Sequence, residues 1–568
     1  MAFTQAELDF FNSPDSVDFV TRQNSFFIEY AKNDPGLVIA QTLSGGYLLC
    51  YINRSEIESL VTVLGPGFAT TESIVLGPLI DAPLDASGIT QIYNQPYLDL
   101  DGRDVLVGIV DTGIDFTQPA FIRDDGTSKI RYLYDQTGIG NAPEGFAIGT
   151  EYTNAQINEA LKSPNPYDVV PQRDTSGHGT FVASIAAGRK LGDFVGAARG
   201  ADIIAVKLPL AKPFYLDAFF VPPTQQNAFS SSSVMVGVEY ILKKAHELEK
   251  PVAICIGLGT NFGGHDGFSV FAEYLGGVAS QKGVCLCTAA GNESQARHHM
   301  EGKLKAAGET QNVDIRVGDD AGNVMVSLWN TISDRLSVAI RSPSGELVSR
   351  IAAKAGPSKE TKLLLERSVV VVRYFLPVEV SGAQLTVVQI RNATPGLWTI
   401  IVHGDIVLDG TFHCWLPLTG FVDESVEFLS ASPYYTITSP GTMLHSICCG
   451  AYNSYNNSLY INSSWGPTRT PMMAPDLVAP GVNVLGYSPG GPQAMSGTSI
   501  ATAITTGACA LLLQWGIVEE NDVALSTYQI RAYLIRGCSR SAAMSYPNTQ
   551  WGYGKLDLMQ TFHLMREL

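Results

Sequence analysis

The sequence predicts an α/β protein with a parallel sheet covered by helices on both faces, joined to a small N-terminal α+β domain and an inserted β-sandwich. Short, nearly continuous apolar runs that alternate with helical patterns predict the parallel sheet. Strand patterns followed by a helical pattern near the N-terminus predict the small domain. Many short strand patterns in the middle of the chain predict the sandwich.

Length and composition agree with a large folded protein. A chain of 568 residues exceeds what one core usually serves, so two or three domains are expected. Hydrophobic residues make up 45% and charged residues 16%, and 55 glycines favour a compact, loop-rich α/β protein. The net charge of -17 argues against nucleic acid or an anionic membrane as a partner.

Residues 1–79 are predicted to form the N-terminal domain. Candidate strands cover residues 18–22, 24–30, 37–43 and 46–52, and a candidate helix covers residues 55–64. Strands plus a helix in so few residues indicate a compact α+β unit, and we place its boundary after residue 79.

Two stretches of chain, residues 80–299 and 436–568, are predicted to build the main sheet. Its candidate strands read as apolar throughout and cover residues 105–110, 203–207, 252–256 and 284–288. Helical patterns lie between them at residues 180–187, 232–248 and 268–281. Ligands of such sheets bind at the carboxyl ends of the strands, so the residues just after each run are the candidates for a site.

The stretch between these two parts, residues 300–435, has a different character. Its candidate strands alternate or run apolar and end in turn residues, at 312–317, 324–329, 336–341, 368–373, 384–387 and 396–402. Many short strands at this spacing predict an inserted β-sandwich with a jelly-roll arrangement.

Three segments carry the residues that activate a nucleophilic serine. Asp111 ends the first apolar strand, His178 lies in Asp-Thr-Ser-Gly-His-Gly-Thr, and Ser499 follows Gly-Thr at the start of a helical run. A serine hydroxyl is a poor nucleophile at its free pKa. It needs an imidazole to accept its proton and a carboxylate to fix the tautomer of that imidazole. The chain order Asp111, His178, Ser499 therefore predicts a catalytic triad.

Asn292, in Ala-Ala-Gly-Asn-Glu, is the candidate side-chain donor to an oxyanion, a feature worth about 100 to 1000-fold in rate. Plainer alternatives stay open for each residue. Asp111 and Ser499 also fit helix caps, and His178 fits a buried structural histidine. Asn292 also fits a turn. Ser496 is the competing nucleophile, although it lies outside the predicted helix.

These blocks and their order resemble the subtilisin-like serine protease family, the subtilases. Residues 462–468 and 474–481, ahead of the serine, extend the resemblance. It implies a subtilisin-like parallel sheet and a serine endopeptidase that hydrolyses protein or peptide substrates through an acyl-enzyme. It also implies that Gly257, Leu258 and Gly259 pair with the substrate backbone. Ala289, Ala290 and Gly291 would then line the pocket for the substrate residue that precedes the scissile bond. Glu293 is expected at the rim of that pocket, solvated or facing a basic substrate residue.

Subtilases are commonly preceded by a propeptide that templates folding and then inhibits the enzyme, so residues 1–79 are expected to be an intramolecular inhibitor. Self-processing is expected after Leu79, because Leu76-Gly-Pro-Leu79 resembles the self-processing sites of the family. A permanently attached docking domain is the alternative.

The domain arrangement restricts the resemblance to one group within the subtilases. An N-terminal prodomain together with an inserted jelly roll is similar to the Csp proteases of Clostridia, which act on a cortex-lytic enzyme precursor during spore germination. The second class of function is a signalling or scaffold pseudoprotease that binds a partner with its site occluded, as some members of that group do.

Nine cysteines, an odd number, lie mostly in apparent core strands without metal-ligand spacing, which predicts reduced thiols and no metal or cofactor. The start of the chain has neither the basic nor the apolar region of a secretory signal. No apolar run is expected to approach the length of a membrane span. We therefore expect a cytoplasmic protein, associated with the spore if the likeness to the Csp proteases extends to its role.

Overall fold

The structure is a computed structural model that describes residues 3–34, 36–64, 73–78, 85–93, 95, 98–470 and 472–565. Nine strands of the described chain form the main sheet, most of them parallel. Their order across the sheet is Ser458–Leu459, Ile447–Asn453, Val284–Ala289, Val252–Ile256, Leu106–Asp111, Asp202–Lys207, Ile130–Asp135 and Thr150–Thr153, and Leu477–Pro480 also pairs with Ile447–Asn453.

Helices cover both faces of this sheet. The strand Leu106–Asp111 shows why its run is apolar throughout, because Val107 and Ile109 enter the core on one face whereas Leu106 and Val110 enter the core on the other. The first face packs against the helices His178–Ala187 and Thr498–Leu513, and the second against Ser231–Glu247 and Val270–Ala279. We call His178–Ala187 the histidine helix and Thr498–Leu513 the serine helix.

The expectation that no apolar run reaches the length of a membrane span is wrong for the serine helix and its extension. Among the described helices, Thr498–Val518 is apolar and long enough to cross a membrane. Its most apolar window is 89% buried inside the protein, because the helix packs between the main sheet and the histidine helix. This helix is therefore part of the core.

The N-terminal domain has a three-stranded antiparallel sheet of Ser16–Arg22, Tyr47–Asn53 and Leu37–Leu43, and the helices Gln5–Asn12, Ser25–Asn33 and Ile57–Leu64. The predicted strand at residues 24–30 is wrong, because this segment forms the helix Ser25–Asn33. Asn24 caps the helix by accepting the Phe27 N–H at 2.7 Å. Phe27 and Ala31 are buried four residues apart whereas Phe26 is 70% exposed, so helical spacing decides which ring enters the core.

Two antiparallel sheets between His299 and Phe428 pack face to face around an apolar core of their own. The six-stranded sheet has the order His299–Lys303, Thr411–Trp415, Val324–Asn330, Gln384–Arg391, Val369–Phe375, Lys359–Lys362, and the five-stranded sheet has the order Leu347–Ile351, Arg335–Arg341, Gly396–Ile406, Thr310–Val317, Glu427–Phe428. We call this unit the sandwich. Each strand predicted in this region overlaps one of these strands.

The remaining described elements connect these units. They are the α-helices Ile89–Tyr93, Asn154–Lys162, Pro166–Val169, Pro213–Ala218, Thr527–Gly537 and Leu558–Met565, the strands Val75–Pro78, Phe229–Ser230, Leu258–Gly259, Val484–Ser488 and Gly491–Met495, the 3-10 helices Arg54–Glu56, Asp85–Ser87 and Pro119–Phe121, and the π-helix Gln514–Val518, which extends the serine helix.

Three buried histidines lie where the loop that carries His265 meets the sandwich strands that carry His299 and His413. The His265 ring stacks on the Trp415 ring at 4.1 Å and an interplanar angle of 1°, and His299 Nε2 lies 3.1 Å from His413 Nδ1. Burial lowers the pKa of His265 to about 4 and that of His413 to about 3, and it lowers the pKa of His299 well below its ordinary value.

These histidines predict a loss of stability in mild acid. The unfolded chain binds protons to them near pH 6.5 whereas the folded chain does not, so the free energy of unfolding falls as the pH drops from about 6.5 towards 4. For His265 the loss at pH 5 is about 2 kcal/mol. Thermal unfolding at pH 7.5, 6 and 5 measures it. The variant His265→Gln should flatten the dependence on pH, and the exposed control His246→Gln should leave it unchanged. Equal slopes in all three proteins would contradict this prediction.

Candidate active site

The three residues of the predicted triad lie within hydrogen-bonding distance of one another. Asp111 is the last residue of its strand, His178 is the first residue of the histidine helix, and Ser499 is the second residue of the serine helix. His178 Nδ1 lies 2.7 Å from Asp111 Oδ1, and His178 Nε2 lies 3.1 Å from Ser499 Oγ. All three residues are buried. A serine, an imidazole and a carboxylate in this order can move a proton from the hydroxyl to the ring.

A buried carboxylate that the sequence reasoning missed fixes the start of the histidine helix. Asp174 Oδ1 accepts the Gly177 N–H at 2.8 Å and the Thr112 hydroxyl at 2.8 Å, and its Oδ2 accepts the Thr180 N–H at 2.9 Å. Asp174 thereby caps the helix and ties it to the residue after Asp111.

Gly257 leaves the space in which the triad assembles. A Cβ atom at this position would lie 3.0 Å from Ser499 Cβ and 3.5 Å from His178 Cε1. Contacts of 3.0 Å are tighter than packed carbon atoms prefer, so a larger residue here would require Ser499 to shift by a few tenths of an ångström. The close approach follows from sheet order, because Gly257 directly follows the strand Val252–Ile256, the neighbour of Leu106–Asp111.

Asn292 is held with its amide oxygen turned towards the serine helix. Its Oδ1 accepts both the Thr498 N–H and the Thr498 hydroxyl, each at 3.1 Å, and the Gly291 N–H in turn donates to Thr498 Oγ1 at 3.1 Å. Anchoring the oxygen fixes the opposite direction for Nδ2, which makes no hydrogen bond to the described part of the chain. A fixed N–H donor beside a nucleophilic serine is suited to stabilise an oxyanion.

Comparison with known proteins agrees with this geometry. The sequence profile of the Subtilase family matches residues 102–333 and 426–554, which is more than half of the chain. The chain belongs to the subtilase family. This match confirms the predicted family and its α/β fold, and the gap between the two matched parts falls within the sandwich.

Solved and curated relatives support the same assignment. This subtilase is similar to the CspB protease of Clostridium perfringens, with 34% identity, a TM-score of 0.75, and coverage of 85% of this chain and 98% of that one. The predicted likeness to the Csp proteases is therefore confirmed. Subtilisin-like protease SBT3.10 of Arabidopsis thaliana is 26% identical over 452 residues, 72% of this chain. The chain spans 55% of the length of that protein.

The main sheet, its helices and the loops between them, residues 98–298 and 429–565, form the catalytic unit. A strand from the N-terminal part of this subtilase lies between two short strands of this unit. The strand Val75–Pro78, which we call the cleft strand, pairs antiparallel with Leu258–Gly259 on one side and with Phe229–Ser230 on the other. Gly259 is opposite Gly77, and Leu258 is opposite Pro78. The predicted backbone-pairing segment is therefore paired with the chain itself. Leu79, the predicted processing residue, lies outside the described residues.

The predicted pocket segment follows the strand Val284–Ala289, adjacent to the strand that precedes Gly257. Ala289 and Ala290 are buried, and Gly291 adopts a positive φ of 106°. A Cβ at Gly291 would lie 2.6 Å from Thr438 Cγ2, so this backbone closely approaches the Thr438 side chain.

Two sequence-based expectations for neighbouring residues are corrected. Glu293 does not lie at a solvated rim, because it is 1% exposed and accepts hydrogen bonds from Asn261 Nδ2 at 2.9 Å and the Thr419 N–H at 3.3 Å. Burial opposes its ionisation, but its bonds, above all the one with His298, lower the pKa of Glu293 below its ordinary value. Ser496, the competing nucleophile, instead accepts the Asn483 N–H at 3.1 Å.

Proposed function

We propose that this subtilase is a serine endopeptidase that hydrolyses peptide bonds through an acyl-enzyme. The observation that carries the proposal is the continuous chain of contacts from Asp111 Oδ1 through His178 to Ser499 Oγ. Ser499 Oγ attacks the scissile carbonyl while His178 Nε2 accepts its proton. His178 then returns the proton to the leaving amine, and water repeats the sequence to release the acyl group.

The remaining groups stabilise the charges that develop during this reaction. Asp111 accepts the Nδ1–H of His178, which fixes the tautomer and favours the imidazolium. The oxyanion receives the Asn292 amide and the N–H of Ser499 near the positive end of the serine helix. Since burial of the triad excludes water, these dipoles act in a medium of low dielectric constant.

We propose further that the chain processes itself after Leu79 and that residues 1–79 then act as its inhibitor. The cleft strand supports this proposal, because it occupies the central position between two strands, as an extended substrate would. Asp18 of the N-terminal domain accepts hydrogen bonds from the hydroxyls of Ser230 and Ser232, beside the cleft strand and at the start of the helix Ser231–Glu247. Such contacts favour retention of the domain after cleavage.

The physiological substrate that we propose is a precursor of a spore cortex-lytic enzyme. The similarity to the CspB protease supports this substrate. All nine cysteines are free and buried, which supports production in the reducing cytoplasm.

Replacement of Leu79 by aspartate is expected to slow self-processing by a factor on the order of 50, because a carboxylate must then enter a pocket lined by apolar and backbone groups. Intact-mass spectrometry of the denatured wild type should give two masses that divide after residue 79, and the Leu79→Asp variant should remain a single chain. The control Leu365→Asp, at a residue that is exposed on the sandwich, should process like the wild type.

A wild-type protein that stays intact, or that divides far from residue 79, would overturn the self-processing proposal. In that case the pseudoprotease with an occluded site becomes the better description. Labelling of Ser499 by a fluorophosphonate separates the two, since only an assembled triad reacts.

A further inference from the structure

A cavity of about 1500 Å³ lies beside the segment that leads into the cleft strand, where three units of the molecule meet. The N-terminal domain contributes Val20 and Ile57, the catalytic unit contributes Phe219 and Phe262, and the sandwich contributes Met325 and Val387. A volume of this size holds several amino-acid side chains. The insertion of the sandwich into the catalytic unit therefore creates a space that the main sheet and its helices do not form alone.

Two outward-facing residues of the sandwich wall of this cavity are apolar. Along the strand Gln384–Arg391, Val388 and Ile390 point into the core of the sandwich, whereas Leu385 and Val387 point outwards and line the cavity. The outer face of an antiparallel sheet is normally polar. Leu385 and Val387 pack in part against apolar neighbours within the molecule and are half-buried, so each leaves apolar surface open to the cavity.

The cavity extends to the segment that leads into the cleft strand. Ser73 and Ile74 line it, and they lead directly into the cleft strand, whose Leu76 is fully buried in the apolar core beside Phe229 and Leu258. A polypeptide bound along the line of the cleft strand therefore enters the cavity two residues upstream of the position of Leu76.

A polar group in the wall also lacks a partner. Trp329 lines the cavity and is 5% exposed, and its buried Nε1–H makes no hydrogen bond within the described residues. A buried donor without an acceptor costs free energy, which a main-chain carbonyl of a bound segment would recover. The lining combines apolar side chains with polar ones, among them Arg373 and Gln389, and ligand-binding sites typically use a few such groups to fix the orientation of the ligand.

We propose that this cavity binds an apolar stretch of the polypeptide substrate that lies upstream of the scissile bond, at the positions that Ser73 and Ile74 occupy in this chain. The inference rests on the proposed peptidase function and deepens it, because it assigns substrate selection to the inserted sandwich. Apolar contacts this far from the scissile bond stabilise the bound substrate and the transition state equally, so they raise kcat/KM.

Two fluorogenic peptides test the proposal. Both carry the sequence of residues 73–79 ahead of a coumarin amide, and the second has alanine in place of the isoleucine that corresponds to Ile74. We expect kcat/KM to be about tenfold higher for the isoleucine peptide in the wild type, since burial of the larger side chain removes more apolar surface from water. The preference should fall to about threefold or less in Val387→Gln.

The control Leu364→Gln replaces an apolar residue that is 82% exposed and does not line the cavity, so it should keep the wild-type preference. Leu385→Gln is a second wall variant if Val387→Gln does not fold, as judged by circular dichroism. Equal kcat/KM for the two peptides in the wild type would overturn the inference, and so would an unchanged preference in the wall variants. If neither peptide is cleaved by a protein that still processes itself after Leu79, the inference fails and the peptidase function stands. If self-processing is absent as well, both fail.

Discussion

Replacement of Ser499 by alanine is expected to lower kcat by about 10⁶-fold. The Ser499 hydroxyl is the group that His178 Nε2 contacts at 3.1 Å, so its loss removes the nucleophile and leaves binding and oxyanion stabilisation. The residual rate should exceed that of water alone, because the Asn292 amide and the positive end of the serine helix remain. Initial rates on a fluorogenic peptide measure kcat, and the variant should also remain a single chain.

The matched control is Ser496→Ala, three residues earlier in the sequence. Ser496 accepts the Asn483 N–H and contacts no triad residue among its described hydrogen bonds, so kcat should stay within about threefold of the wild type. A large loss in Ser496→Ala together with retained activity in Ser499→Ala would reverse the assignment of the nucleophile. Loss of activity in both variants, with unchanged circular dichroism, would show that Ser496 supports the position of the serine helix.

The parallel sheet was predictable because its strands are buried on two faces and therefore carry runs of apolar residues that few other structures require. Val252–Ile256 and Val284–Ala289 are fully buried, and their neighbours in the chain are helices with their own pattern. The segment 24–30 has no comparable pattern that fits only one type of secondary structure. Its two adjacent phenylalanines fit a strand or a helix, and the cap at Asn24 together with burial of Phe27 against the N-terminal sheet decided for the helix.

The triad was predictable because each residue stands beside glycine and hydroxyl residues that the geometry needs close by, as Gly177 and Thr498 show. Glu293 and Asp174 were beyond the reach of this reasoning for different reasons. The environment of Glu293 depends on Thr419, which is 126 positions away and arrives through the insertion of the sandwich. Asp174 lies within the motif itself, but its role depends on contacts with Thr112, 62 positions away.

Composition alone also does not predict the environment of the buried helix of membrane-spanning length. Thr498–Val518 is apolar because it is surrounded by the main sheet, the histidine helix and the C-terminal helices, and not because it meets lipid. Window hydropathy does not distinguish the two environments. The burial of this helix inside the protein provides the distinction, since a membrane span would present its apolar side chains to lipid.

Replacement of Asn292 by alanine is expected to lower kcat by about 100 to 1000-fold with little change in KM. The amide Nδ2 is directed by the two hydrogen bonds that its oxygen accepts from Thr498, so it is positioned before the substrate arrives. A preorganised donor acts on charge that exists only in the transition state and the tetrahedral intermediate, which is why the loss appears in kcat. Steady-state kinetics on one peptide separate the two constants.

The variant Asn292→Asp sharpens this test, because its carboxylate still accepts the Thr498 N–H but offers no donor and places a negative charge beside the oxyanion. It should be at least as slow as Asn292→Ala. Asn462→Ala is the control, since the Asn462 side chain binds the Tyr460 hydroxyl and should leave kcat unchanged. A raised KM with wild-type kcat in Asn292→Ala would contradict the oxyanion role and assign Asn292 to substrate binding.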